Sequence, residues 1–171
     1  MPKKKVTVIT DGTITPYVTA TDAAGNVSSA AVTPTATMDV DAPTATVAVT
    51  PDAVTAKVGD TITATFTAGS SQNDLATTTS ACTINTVDVK STFVNGGAGS
   101  YTLTYVVTEG NIDRLSGALP IDCTLAEPSG NTVTVNAFVG NTLVVDANTP
   151  TDPVISSIAT DNYISDAKKS I

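Results

Sequence analysis

Short runs in which apolar and polar residues alternate recur along the whole chain, with turn residues between them. The clearest is TITATFTA, where Ile62, Ala64 and Phe66 fall on one side and threonines on the other. Successive strand residues point to opposite faces, so this is the pattern of a half-buried strand. SYTLTYVVT predicts a second strand, and PIDCTL a third with Ile121, Cys123 and Leu125 facing one way. Weaker runs are VTVIT, TPYVTATD, VSSAAVTPTATMDV, TATVAVT and ACTINTVDV. NTVTVNAFVGNTLVVD reads as one bulged strand or two short ones, and the tail TPTDPVISSI starts like another strand. Asp11-Gly12, AAGN, Pro51-Asp52, Lys57-Val58-Gly59-Asp60, the glycines between Asn95 and Gly99, and Pro128 to Asn131 punctuate these runs as turns. Residues 69–80 are polar and read as a long loop. No helical period lasts beyond a turn or two. About a fifth of the chain is Thr, a β-branched residue suited to pleated sheets. The chain is therefore expected to be all-β.

An internal repeat organises these strands. TATDAAGN, starting at Thr19, resembles TLAEPSGN, starting at Thr124, and Asn131 stands 105 residues after Asn26. Asp146-Ala147 follows Asp41-Ala42 at the same distance. Without gaps, residues 19–44 and 124–149 share about eight identities in 26 positions. A period of this size equals one antiparallel sandwich domain of about 100 residues. The predicted organisation is the last strands of one repeat in residues 1–43, a complete repeat in 44–148, and the start of another in 149–171. The partial repeats would expose strand edges, which pair readily with other chains. The expectation is either disorder at both ends or strand exchange, with neighbouring repeats or subunits as the partners.

The strings TATDAAGNVSSA, DVDAPT, KVGDTITATFTA and GSYTLTYVVTEG together resemble bacterial Ig-like repeats. These occur in tandem in large surface adhesins, biofilm proteins and S-layer-like proteins. The resemblance covers residues 13–152. The turn AEPSGN departs from the usual DAAGN-like sequence, and the two cysteines depart from most such repeats. The resemblance implies an immunoglobulin-like antiparallel β-sandwich and a non-catalytic stalk or adhesive role outside the cell, with an unidentified protein or glycan ligand. The same architecture decorates phage and other virus particles, which is the alternative expectation.

In such a sandwich, ACTIN would be the third strand of the complete repeat and PIDCTL the sixth, adjacent in one sheet. Cys82 shares a face with Ile84, and Cys123 with Ile121 and Leu125. If both faces point inward in matching register, the two sulfurs form a disulfide, which implies an oxidising compartment. The competing outcome is two buried, reduced cysteines.

Composition excludes several chemistries. The net charge is −8, with eight Lys plus Arg against 16 Asp plus Glu. Such a chain repels phosphate backbones, so nucleic acid is not an expected partner. Histidine is absent, which removes the common nucleophile–base pairs and the usual zinc sites. With no phosphate-binding glycine loop either, the chain is not expected to be an enzyme. No apolar run is long enough to span a membrane. The start MPKKKVTVITDG has a basic cluster with no apolar stretch behind it, so it does not read as a signal peptide.

Calcium is the one inorganic partner the residues suggest, because it takes several oxygen ligands. Asp22 and Asn26 share one turn, and Asp39 and Asp41 stand at the junction between repeats. They are read either as a calcium clamp on the linker or, for Asp22 and Asn26, as a side-chain-capped turn. Tyr17, Phe66, Phe93, Tyr101, Tyr105 and Phe138 are read either as a glycan platform or, preferably, as core. Loop 69–80 is the candidate ligand-binding loop, and a tolerated insertion is the plainer reading.

Overall fold

The computed structural model describes residues 10–15, 17–29, 31–32, 35–69, 71–139 and 142–156. These residues contain strands and one 3-10 turn, and no α-helix. Four short strands come first: β1 (Gly12–Ile14), β2 (Tyr17–Val18), β3 (Ala31–Val32) and β4 (Ala36–Met38). They form one nested hairpin. β1 pairs with β4, β2 pairs with β3, and a bridge joins Thr21 to Val27 near the tip.

The rest of the described chain builds two larger sheets and one two-stranded pair. Its strands are β5 (Ala45–Thr50), β6 (Thr55–Lys57), β7 (Thr61–Ala68), β8 (Ala76–Thr77), β9 (Thr83–Ile84) and β10 (Val87–Asp88). After the 3-10 turn at Lys90–Thr92 come β11 (Val94–Gly97), β12 (Ser100–Val106), β13 (Leu119–Ala126), β14 (Thr132–Val139) and β15 (Val144–Asp146). One antiparallel sheet runs β11-β12-β7-β5. The other runs β10-β9-β13-β14, with β8 also on β13. In the first, Tyr101 lies opposite Phe66, Leu103 opposite Ala64 and Tyr105 opposite Ile62. All six are buried, as are Leu119, Ile121, Cys123 and Leu125 on β13. Both inner faces feed one core that lies between Val49 and Ala147. This is a β-sandwich-like arrangement, and Ile62, Phe66, Leu103, Tyr105, Ile121 and Leu125 are in its interior as their alternation predicts.

The structure departs from the sequence reading in five places. ACTINTVDV is not a single strand. Asn85 (φ 52°) and Thr86 (φ 68°) turn it into a tight hairpin between β9 and β10, the conformation a two-residue hairpin loop needs. Loop 69–80 is fastened down. Leu75 is in the core, β8 pairs with the end of β13, and the Tyr101 hydroxyl donates to the Gln72 carbonyl while accepting from the Leu75 N–H. The glycine-rich segment after Phe93 is largely strand, and the reversal falls at Ala98 and Gly99. Gly99 is obligatory there, since a Cβ would sit 2.5 Å from the Gly69 carbonyl oxygen. Next, β15 leaves its hairpin and pairs in parallel with β6, which buries Val145 and Ala56. Among the described residues this is the one parallel pair of strands. Finally, residues 151–156 are exposed and form no strand. The strand predicted for the rest of the tail, like most of VTVIT, lies outside the described residues.

Candidate functional site

The two turns 105 residues apart are built on the same main-chain bonds. In the first, Asp22 N–H donates to the Asn26 carbonyl (2.9 Å) and Gly25 N–H to the Asp22 carbonyl (3.0 Å). In the second, Glu127 N–H donates to the Asn131 carbonyl (2.9 Å) and Gly130 N–H to the Glu127 carbonyl (2.9 Å). Gly25 and Gly130 both occupy the left-handed region (φ 90° and 96°) that glycine enters freely.

Their side chains part ways. Asp22 Oδ1 accepts from the N–H groups of Ala24 (2.9 Å) and Asn26 (2.8 Å), and Oδ2 accepts from Asn26 Nδ2 (2.8 Å). The Asn26 amide, with the main-chain N–H groups helping, holds the Asp22 carboxyl below its ordinary pKa. Both oxygens of Asp22 are thus taken by its own turn, which is the side-chain-capped arrangement. The Glu127 carboxylate accepts from Gln72 Nε2 (3.4 Å) outside the turn and from Ser129 Oγ (3.3 Å) within it. The Asn131 amide reaches away from the turn and donates to the carbonyls of Asp39 (3.2 Å) and Asp41 (3.0 Å).

Asp39 and Asp41 therefore meet the sandwich through main-chain oxygens, at the second turn. Among the described residues no group of three or more His, Cys, Asp or Glu side chains is placed to hold a metal ion. Other bonds fix the same junction. Val40 N–H donates to Asp11 Oδ1 (2.7 Å) on the hairpin side, and Thr44 N–H to Gln72 Oε1 (3.5 Å) on the sandwich side. Pro43 is buried between them. An open groove of about 490 Å³ runs alongside, lined in part by Asp39, Asp74 and Glu127.

Cys82 and Cys123 are joined by a disulfide across 41 residues of chain. The β9–β13 register, Ile84 opposite Ile121 and Thr83 opposite Asp122, carries on to set the two cysteines face to face. Both are fully buried, and no free cysteine is present among the described residues.

A buried polar network, which the sequence reading missed, closes the end of the sandwich where the chain leaves it. Asn85 has no solvent exposure. Its Nδ2 donates to the Tyr105 hydroxyl (3.0 Å) and the Ile112 carbonyl (2.7 Å), and its Oδ1 accepts from Arg114 Nε (2.6 Å). The Tyr105 hydroxyl donates in turn to Asn111 Oδ1 (2.8 Å). Burial raises the Tyr105 phenol pKa, against smaller opposing effects from Asn85 and Arg114. Nearby, Asp113 takes the Ala147 N–H (2.8 Å) and Asn148 Nδ2 (2.8 Å), and Glu109 takes the Thr149 N–H (3.1 Å).

Of the candidate aromatic residues, Phe66, Tyr101 and Tyr105 are buried, Phe93 stacks on Tyr101 with centroids 5.6 Å apart, and Phe138 is exposed. The side chain of Tyr17 lies outside the described residues. No helix among the described residues is long and apolar enough to cross a membrane.

No protein family, curated protein or solved structure matches the chain.

Proposed function

We propose that this chain is a non-catalytic, immunoglobulin-like stalk or adhesive segment of an extracellular surface protein, built from tandem units. The observation that carries the reading is the pair of equivalent hairpin turns 105 residues apart, the second of which grips the linker that follows the first. Strand order supports the immunoglobulin-like assignment. Taken in chain order, β5, β7, β11 and β12 correspond to strands A, B, D and E of one sheet, and β9, β13 and β14 to C, F and G of the other. In this reading the first hairpin, residues 12–38, is the F–G end of a preceding unit. The buried disulfide favours an oxidising compartment.

The test is immunolabelling of intact source cells with an antibody raised against the folded chain. Labelling before permeabilisation, and its loss on brief protease treatment of whole cells, is the expected result. Signal only after permeabilisation, or signal confined to purified virus particles, overturns the surface assignment.

A further inference from the structure

We infer that Asn131 is a positioning residue that fixes the angle between successive units, and that the acid opening its turn decides whether the turn's asparagine grips a neighbour or only itself. The inference rests on the tandem-unit reading and adds a mechanism to it.

Asn26 and Asn131 occupy the same position in the same turn, held by the same main-chain bonds. Two turn residues differ in ways that bear on the asparagine: Glu127 stands where Asp22 does, and Ser129, where Ala24 does, accepts the Asn131 main-chain N–H (3.4 Å) and donates to the Glu127 carboxylate (3.3 Å). An aspartate carboxylate is short enough to fold back over its own turn, and Asp22 does so, capturing Asn26 Nδ2 at 2.8 Å. Glutamate is one methylene longer. The Glu127 carboxylate reaches Gln72 beyond the turn and accepts from Ser129 within it, and leaves the Asn131 amide to turn outward. That amide donates to two carbonyls at once, Asp39 and Asp41, one on each side of Val40. Val40 is itself tied through its N–H to Asp11 of the hairpin. The linker is thus fastened to the hairpin behind it and the sandwich ahead of it within three residues. An amide suits this place: its N–H donors complement two carbonyl oxygens, whereas a carboxylate would set acceptor against acceptor. The grip also works against charge, since Asp39, Asp74 and Glu127 line the adjoining groove and like charges repel across it.

Amide ¹⁵N relaxation on the full chain tests this. The reporters are hairpin residues Thr13, Val27 and Thr37 and sandwich residues Thr65, Thr104 and Thr134. In the parent protein both sets are expected to share one rotational correlation time. Asn131→Ala should split them, the hairpin tumbling faster. Asn131→Asp should split them further. Glu127→Asp, which keeps Asn131, should also split them, by drawing its amide back into the turn as Asp22 does. Unchanged sandwich chemical shifts identify variants that have kept their fold. A parent whose hairpin already tumbles separately overturns the inference. So does a shared correlation time in both Asn131 variants. A shared time in Glu127→Asp overturns the role of the acid. Cell-surface labelling does not depend on any of these outcomes, so failure of this inference and failure of the functional reading are distinguishable.

Discussion

The hairpin of residues 12–38 and the hairpin of β13 and β14 turn through the same bonds at the same glycine, yet they live in opposite surroundings. On β13, Leu119, Ile121, Cys123 and Leu125 are buried. In the first hairpin, Ile14, Val18 and Val27 are 43, 57 and 63% exposed. A two-stranded hairpin alone is marginal in water. Turn chemistry therefore sets the local path in both, while burial against a second sheet decides which of them is stable. The comparison predicts that equivalent changes have unequal costs. Phe66→Ala should lower sandwich stability by about 3–5 kcal/mol, from lost burial and the cavity left behind. Val18→Ala should stay within about 0.5 kcal/mol. Urea unfolding followed by sandwich amides checks both; similar midpoints for the two variants would contradict the division.

The disulfide sharpens the same contrast, since only the sandwich is stapled. Closing the loop between Cys82 and Cys123, which are 41 residues apart, restricts the unfolded chain by about 4 kcal/mol in the entropy model. Reduction under denaturing conditions, alkylation and refolding should lower the stability of the sandwich by nearly that amount. Mass spectrometry of the unreduced protein, alkylated in denaturant, should detect no free thiol at either position.

A smaller loss is expected from the polar network. Asn85→Gly keeps the positive φ tolerable but leaves the Tyr105 hydroxyl, the Ile112 carbonyl and the Arg114 guanidinium short of a partner. Leaving buried polar groups unsatisfied costs about 1–3 kcal/mol. Tyr105 adds a pH signature. Its pKa is raised in the fold, chiefly by burial, so its contribution is complete below the unfolded phenol value of about 10. It is lost as pH rises through the higher folded value. Tyr105→Phe should flatten that alkaline decline, as read by melting temperature against pH.

The parts of this fold that depend on alternation were legible in the sequence, because burial of one face imposes a period of two. Ile62, Ala64 and Phe66 on β7 and Leu103 and Tyr105 on β12 follow from that rule alone. The β9–β10 hairpin was not legible. Asn85-Thr86 carries no glycine, and a β-branched residue at positive φ is rare. It is held by the Asn85 side chain, which donates to the Tyr105 hydroxyl and the Ile112 carbonyl and accepts from Arg114 Nε, all distant in sequence. Leu75 was hidden in the same way, as one apolar residue in a polar stretch anchored by Tyr101. The grip of Asn131 was half legible. The similarity of the two segments 105 residues apart pairs it with Asn26 and marks the position, but the different use of its amide goes with Glu127 and Ser129 in its own turn and with carbonyls about 90 residues away.

The smallest predicted effect separates the two turns by acid. Asp22 accepts three hydrogen bonds as a carboxylate, and its pKa is lowered first by the Asn26 side chain and then by main-chain N–H groups. A lowered pKa means that the contribution is present above the unfolded value and disappears as pH falls through the folded one. The Ala24 and Asn26 amide resonances should therefore hold their positions on acidification through the ordinary carboxylate range, then move together below it. Asp22→Asn should abolish that transition. Calcium is expected to leave the same two resonances unmoved, because the turn already supplies the Asp22 carboxylate with three donors. A calcium-dependent shift at Ala24 and Asn26 near neutral pH would show that the carboxylate prefers a metal to its own turn. The capped turn would then be the metal-free state of a binding site, and the difference between the two hairpins would extend from side-chain length to metal chemistry.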